Sequence, residues 1–322
     1  MTICEICKNT VNNKSYIVRE MMFGYRDKFE YFKCGECGCL QINRIPDNLS
    51  EYYPKNYYSF LKPYYFKDDF LKSFLKHQRA KYCLYKKNVI GMLLTKLYKT
   101  PNYYNWFKKV KIEFKSKILD VGCGVGHLLV NMHKDGFSNL TGIDPFINDD
   151  IFYKRGLKIF KKNISEIKQQ FDFIILHDSF EHMREPLSVF KELYRVLKFN
   201  RYVLIRIPVV SSFAWRKYGI NWVQLDAPRH FFLHTVKSIQ ILADKAGFQI
   251  KDVVFDSTES QFWGSEQYLK NISLRAVNSY CENPRKSIFS KDQINSFKTK
   301  ATELNKNNDG DSACFYLYKN KI

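Results

Sequence analysis

Residues 117–145 read KILDVGCGVGHLLVNMHKDGFSNLTGIDP. The apolar pair Ile118-Leu119 leads into an acid, Asp120, and then into three alternating glycines, Gly122, Gly124 and Gly126. Leu128, Leu129 and Met132 follow at the spacing of one buried helical face. A second short apolar run ends in another acid, Asp144. Strand, glycine-rich turn, helix, strand and acid, in that order, make a βαβ nucleotide-binding unit. The glycines allow a tight turn and let a ligand approach with no Cβ in the way.

The two acids narrow the ligand. A dinucleotide fingerprint has the spacing G-x-G-x-x-G and sets a pyrophosphate on the helix N-terminus. Here the third glycine comes one residue early, and His127 stands in its place. A carboxylate at the strand end, Asp120, would repel a pyrophosphate. It suits a cationic ligand, such as the amino group and sulfonium region of S-adenosylmethionine. Asp144 can then accept hydrogen bonds from the two ribose hydroxyls. The expected cofactor loop is Asp120, Gly122, Cys123, Gly124 and Gly126, with Asp144 opposite. LDVGCGVG resembles the first motif of the class I S-adenosylmethionine-dependent methyltransferases, and GIDP their second. The resemblance runs over residues 117–319. It implies an α/β fold: a Rossmann-like, seven-stranded, mostly parallel sheet with helices on both faces and strand seven antiparallel.

The remaining chain divides around this unit. Residues 1–45 carry Cys4, Cys7, Cys34 and Cys37 in two Cys-x-x-Cys knuckles. Short strand-like runs lie between them. Four thiolates brought together by hairpins make a tetrahedral, closed, structural zinc site. Nine cysteines is an odd count, and paired knuckles fit metal binding in a reducing, cytoplasmic compartment better than a disulfide framework. The N-terminus has no apolar secretory segment, and no apolar run reaches the roughly 20 residues of a membrane span.

Residues 46–112 are expected to form an aromatic linker and a helical cap. Tyr52, Tyr53, Tyr57 and Tyr58 follow a Pro-containing stretch and read either as an aromatic seam or as a lid over the ligand. A zinc ribbon followed by such a stretch resembles a methyltransferase subgroup of sugar and surface-polysaccharide pathways, the sugar C-methyltransferases. The helices over 61–112 are amphipathic and basic, with apolar positions such as Leu71, Phe74, Ile90, Leu93 and Leu97. They read as a cap, or as a membrane-surface element. The formal charge of +20 can signal nucleic acid, but the lysines are spread along the chain and follow a general compositional bias.

Residues 113–322 form the expected catalytic domain, with an insertion over 257–311. The pattern predicts a helix over 147–155 and a strand over 157–160. Asn163 and Ile164 then occupy the turn that meets the adenine in the resembled family, where Asn163 replaces an aspartate. A buried strand over 171–176 opens onto His177, Asp178, Glu181 and His182. Ligands of open α/β sheets sit at such carboxyl ends, so these residues should face the methyl group. The Glu181-His182 pair resembles one found at this place in many small-molecule methyltransferases. Residues 211–234 form a long irregular connection after strand five, and long connections in compact domains are usually functional. Trp215, Tyr218 and Trp222 are candidates for a substrate pocket, and Asp226, Arg229 and His230 are the polar groups expected there.

Methyl transfer needs an acceptor held in line with the sulfonium carbon, and a base where the acceptor carries a proton. His230 is the candidate base, Asp178 and His182 are reserves, and Arg229 is the candidate for a substrate phosphate. The favoured function is methyl transfer to a small polar metabolite, such as a nucleotide-linked sugar or polysaccharide precursor. An RNA methyltransferase is the alternative, although strand four lacks an Asn/Asp-Pro-Pro-Tyr turn and a nucleophilic cysteine. A non-catalytic module that only binds the cofactor is the third reading. The methylated atom, the substrate and the oligomeric state are not written in the sequence.

Overall fold

In a computed structural model, the described residues are 2–54, 57–61, 70–98, 100–107, 109–153 and 156–321. Two sheets organise them. The smaller contains β1 (Lys14–Arg19), β2 (Lys28–Lys33), β3 (Leu40–Ile42) and β10 (Phe232–Leu233), in the order β1-β2-β3-β10. The larger contains β4 (Ile118–Val121), β5 (Leu140–Ile143), β6 (Ile151–Phe152), β7 (Lys158–Phe160), β8 (Phe171–His177), β9 (Leu197–Pro208), β11 (Gln249–Phe255) and β12 (Ser312–Lys319). Its order is β11-β12-β9-β8-β4-β5-β7-β6. Strands β9, β8, β4, β5 and β7 run parallel to one another, and β12 lies antiparallel between β9 and β11. This is the Rossmann-like α/β architecture with its antiparallel last strand.

The central strands are buried because their sequences are apolar on both faces. Ile118, Leu119, Phe173, Ile174, Ile175, Leu176, Val203, Leu204 and Ile205 are fully covered. The strand order reverses between β4 and β8, so the carboxyl ends of these two strands mark the switch point where ligands collect.

The helix expected over 147–155 does not form over the described residues 147–153. Turns occupy 145–149, and the two-residue strand β6 pairs antiparallel with β7. Asn148, Asp149 and Asp150 give this segment no apolar period, and local bonding wins instead. Asp150 Oδ1 accepts from the Lys161 amide at 2.7 Å, and the Asn148 carbonyl accepts from Lys161 Nζ at 3.0 Å. Residues 154–155 of that expected helix lie outside the described residues. β6 adds an eighth strand at the sheet edge.

In chain order, α1 (Phe70–Tyr85), α2 (Val89–Leu97) and α3 (Tyr103–Phe107) come between β3 and β4. Helix α3 buries Tyr103, Tyr104, Trp106 and Phe107. Helices α1 and α2 pack on each other around Gly91, where a Cβ would lie 2.2 Å from the Gln78 carbonyl oxygen. They leave Leu71, Phe74, Ile90, Leu93 and Leu97 exposed, so the apolar positions read from sequence only partly face the core. On the main domain, α4 (His127–Lys134) follows the glycine loop, α5 (Pro186–Val196) joins β8 to β9, and α7 (Val236–Ala246) joins β10 to β11.

The long connection after β9 is more ordered than its sequence suggests. It contains α6 (Phe213–Tyr218), two short 3-10 turns and β10. Strand β10 pairs with β3, Phe232 opposite Gln41 and Leu233 opposite Leu40. The N-terminal module is thereby completed by the catalytic domain, and one hydrophobic core runs through both, from Cys4 and Tyr31 to Phe180 and Leu233. The 257–311 stretch holds α8 (Ser260–Leu269) and α9 (Lys291–Lys306). Among the described residues no helix is long and apolar enough to cross a membrane.

Candidate active site

The glycine loop has the geometry its sequence demands. Gly122, Gly124 and Gly126 have φ of 72°, 54° and 83°, a region that costs L-residues with a Cβ. Space is also closed to a side chain. A Cβ at Gly122 would lie 2.6 Å from Ser179 Cβ, and one at Gly124 would lie 2.6 Å from the Ser59 carbonyl oxygen. The loop is therefore clasped between the turn after β8 and the segment around Ser59. Ser179 Oγ donates to the Val121 carbonyl at 2.8 Å, and the Val125 amide donates to the Ser59 carbonyl at 3.1 Å.

Two carboxylates face this loop. Asp144 Oδ2 accepts from the Gly124 amide and Oδ1 from the Phe146 amide, both at 2.8 Å. Each oxygen keeps a lone pair for a further donor. Asp120 is 3% exposed. Burial and then the charge of Asp144 push its carboxyl up to about 7, and burial also raises Asp144. Two buried acids side by side favour a ligand that brings positive charge and hydroxyl donors. Cys123 lies within the loop with Sγ 3.4 Å from the Gly124 carbonyl. Asn163 is exposed at the turn after β7, with Ile164 beside it, and its amide donates to Glu166 Oε2 at 2.6 Å.

The turn after β8 lies next to the loop. His177 ends the strand and packs near the Trp106 ring at 5.0 Å. Its Nε2 is 3.3 Å from Asp178 Oδ2, and burial keeps its pKa below the usual histidine range. Asp178 takes φ of 51° and accepts two bonds from Arg206 Nη1, at 2.7 and 3.0 Å. Arg206 also reaches Asp256.

His182 and His230 meet edge to face, their ring centres 4.7 Å apart. Backbone bonds fix the approach: the Phe231 amide donates to the Glu181 carbonyl at 2.8 Å. His182 Nδ1 is 2.8 Å from the Arg229 carbonyl and His230 Nδ1 is 2.8 Å from the Gln224 carbonyl. Burial lowers both imidazoles, His182 to about 3. Both are neutral at neutral pH. Beside them Glu181 is 1% exposed, and its carboxyl is raised by burial and then by Asp178. The structure therefore brings Asp178, His182 and His230 together and adds Glu181, which the Glu-His pair signalled in sequence only as a resemblance.

The three expected substrate groups are placed differently. Arg229 is fully buried, bonded to Asp226, Glu20 and the Tyr52 carbonyl. Trp222 is fully buried with Nε1 donating to Asp311 Oδ2 at 2.9 Å, and Tyr218 donates to Glu266 Oε1 at 2.8 Å. Their polar atoms are occupied inside the protein, so they position the connection and are not open to a substrate here. Trp215 is likewise buried, edge-on to Tyr16 and Trp222. The tyrosine-rich segment is a seam and a cover at once. Tyr52 and Tyr57 are buried, with Tyr52 packing edge-on to Phe29 of β2, while the same segment places Ser59 on the glycine loop. The side chain of Tyr58 lies outside the described residues.

The four knuckle thiols come together. Their Sγ atoms all lie within 4.8 Å of one another, with Cys4 to Cys37 and Cys7 to Cys34 both at 3.5 Å. Four sulfurs around one zinc at about 2.3 Å stand about 3.8 Å apart, so the cluster fits such an ion. Gln41 Nε2 donates to Cys4 Sγ at 2.9 Å, and the Glu36 amide to Cys34 Sγ at 3.3 Å. Hydrogen bonding, first from Cys37 and also from Gln41, holds Cys4 down to about 4 despite burial.

Comparison with known proteins agrees with this geometry. Residues 75–253 match a family model described as a methyltransferase domain. The human protein EEF1A lysine methyltransferase 2 is 32% identical over 132 residues, covering 35% of this chain and 53% of that protein. The chain thus spans about half the length of that relative. The ubiquinone biosynthesis O-methyltransferase of Pseudomonas putida is 27% identical over 173 residues, covering 48% of this chain and 73% of that protein. Among solved structures, the cyclopropane synthase MmaA2 from Mycobacterium tuberculosis aligns with a TM-score of 0.43 at 14% identity, over 66% of this chain and 81% of that one. A family match over more than half of the chain, on a sheet whose β4 and β5 ends carry a glycine loop and two buried acids, makes the chain a member of the methyltransferase-domain family.

Proposed function

We propose that the chain transfers the methyl group of S-adenosylmethionine to a small polar acceptor, a nucleotide-linked sugar or polysaccharide precursor. The observation that carries the reading is the pairing of two unlike edges. The β4 and β5 ends present buried carboxylates suited to a cationic, hydroxylated cofactor. The β8 turn and the 226–231 loop present neutral imidazoles and an unpartnered carboxyl suited to an acceptor that must lose a proton. Asp120 and Asp144 hold the cofactor with the loop of Gly122, Cys123, Gly124 and Gly126, and Asn163, Ile164 and His177 border it. The acceptor's deprotonation is the task of the cluster around His230, with His182 and Asp178 beside it. Cys4, Cys7, Cys34 and Cys37 hold a structural zinc ion.

The sugar class rests on the resemblance of the knuckle-plus-tyrosine arrangement to sugar methyltransferases. The test is transfer of labelled methyl from S-adenosylmethionine to pooled nucleotide sugars, with an RNA pool in parallel. Label in the nucleotide-sugar pool supports the reading. Label confined to RNA overturns the acceptor class, and no binding of the cofactor by calorimetry overturns the site.

A further inference from the structure

Glu181, His182 and His230 form a cluster that proton transfer alone does not account for. One ligand atom from each lies within 4.8 Å of the others. The Glu181 side chain is 1% exposed, and neither of its carboxylate oxygens has a hydrogen-bond partner among the described residues. Native structures leave few buried polar atoms unsatisfied, and each one calls for an explanation such as an ordered water or an ion.

The imidazoles add an independent observation. Each turns Nδ1 to a backbone carbonyl at 2.8 Å. A carbonyl only accepts, so Nδ1 carries the hydrogen in both rings and Nε2 carries the lone pair. Metal-ligating histidines are held in this way, with the outer nitrogen donating to a carbonyl or carboxylate. Among the described residues, neither Nε2 makes a hydrogen bond. His230 Nε2 faces Glu181 Oε1 and Asp226 Oδ2, both at 3.9 Å. Other nearby charges are already matched: Asp226 is bonded to Arg229, and Asp178 to Arg206. Glu181 is the acid left over.

We infer that Glu181, His182 and His230 bind a first-row divalent cation through one carboxylate oxygen and two Nε2 atoms, leaving further coordination positions open. Ligands around an ion at about 2.1 Å stand about 3–3.5 Å apart, so the 3.9 Å separation closes by less than about 1 Å. Two nitrogens and one oxygen suit manganese, iron, cobalt or zinc better than magnesium or calcium. The site is separate in chemistry from the four thiols, which leave no position open. Its role rests on the methyl-transfer reading. A cation here takes an acceptor hydroxyl into an open position and makes it more acidic. With both Nε2 lone pairs on the ion, the cluster deprotonates the acceptor through the cation and not as a free imidazole base: the hydroxyl proton leaves to water, the oxygen forms the new bond to the methyl carbon, and the electron pair of the broken carbon–sulfur bond stays on sulfur. The acceptor atom is then oxygen.

The test is cobalt(II) titration of the full chain, followed by absorption spectroscopy. Two ions per chain are expected: one with intense sulfur-to-metal charge-transfer bands, and one with weak ligand-field bands only. Glu181→Gln and His182→Gln should weaken the second by 10-fold to 100-fold or more and leave the first intact. A wild-type chain that takes up only the thiolate-type ion overturns the site, as does a second ion bound equally by both variants. Should the variants fail to fold, manganese(II) titration of wild-type protein carrying one zinc ion per chain, on the thiolates, followed by electron paramagnetic resonance, decides. One bound manganese per chain supports the site and none overturns it. Neither measurement depends on turnover, so failure of the methyl-transfer reading shows separately, as absent S-adenosylmethionine binding.

Discussion

Arg229 makes four hydrogen bonds inside the protein: Nε and Nη2 to Asp226, Nη2 to Glu20, and Nη1 to the Tyr52 carbonyl. Glu20 is itself completed by the amides of Phe23, Gly24 and Tyr25, each at 2.9 Å. A cation next to a histidine in a loop after strand five looks in sequence like a phosphate ligand. Only the fold shows that Glu20, far away along the chain, arrives to pair with it. Removing one partner of a buried ion pair leaves an uncompensated charge and costs about 3–5 kcal/mol. Arg229→Ala is expected to lower unfolding stability by that order in denaturant titration. Unchanged stability with a raised Michaelis constant would return Arg229 to the substrate.

Asp120 gives a pH dependence at the same scale. Its pKa in the ligand-free fold is about 7, against a reference of 3.8. A raised folded value means that the neutral form is the stabilising one, so this residue's contribution to stability falls as pH rises from about 4 to 7. A cationic cofactor prefers the ionised form, so its affinity should weaken as pH falls below about 7. The stabilisation by S-adenosylmethionine should therefore be greater at pH 8 than at pH 5.5 in melting curves. Equal stabilisation at both pH values would remove Asp120 from contact with the cofactor's charge.

Among elements, β10 changes the account most. Two residues of the post-β9 connection pair with β3, and further bonds tie the same loop to the cysteine module. Tyr31 donates to the His230 carbonyl at 2.8 Å, and Thr235 Oγ1 donates to the Cys37 carbonyl at 2.7 Å. The module is a buttress for the loop that carries His230. Cys34→Ser should thus lose the proposed zinc ion and also lower turnover, where an independently folded ribbon would lower neither cofactor binding nor turnover. Elemental analysis beside a methyl-transfer assay checks this, and full activity without metal contradicts it. The glycine loop with its flanking strands, α4, and the strands over 157–160 and 171–176 are legible because local pattern and burial agree. The pairing of β10 is not, because a two-residue strand has no period and its partner lies in another segment. The helix expected over 147–155, absent over 147–153, has a different cause: local side-chain bonds outweigh a weak apolar pattern.

At the scale of the whole molecule, one sheet edge collects everything. The Ser59 segment, the glycine loop, the β8 turn and the 226–231 loop converge there, drawn from four separate parts of the chain. The proposed cofactor half is readable as motifs, since its residues are contiguous with their strands. The acceptor half needed the fold, since Glu181 stands out only once its burial and missing partners are seen. In the proposed reading this edge divides into a cofactor half and a separate acceptor half centred on His230. The direct measurement is His230→Ala, assayed for S-adenosylmethionine affinity by calorimetry and for methyl transfer to the pooled acceptors. The expected result is an affinity within about twofold of the wild type and turnover lower by roughly 10²–10⁴; a fully active variant, or one that loses cofactor binding and turnover in step, would show that the edge is not divided in this way.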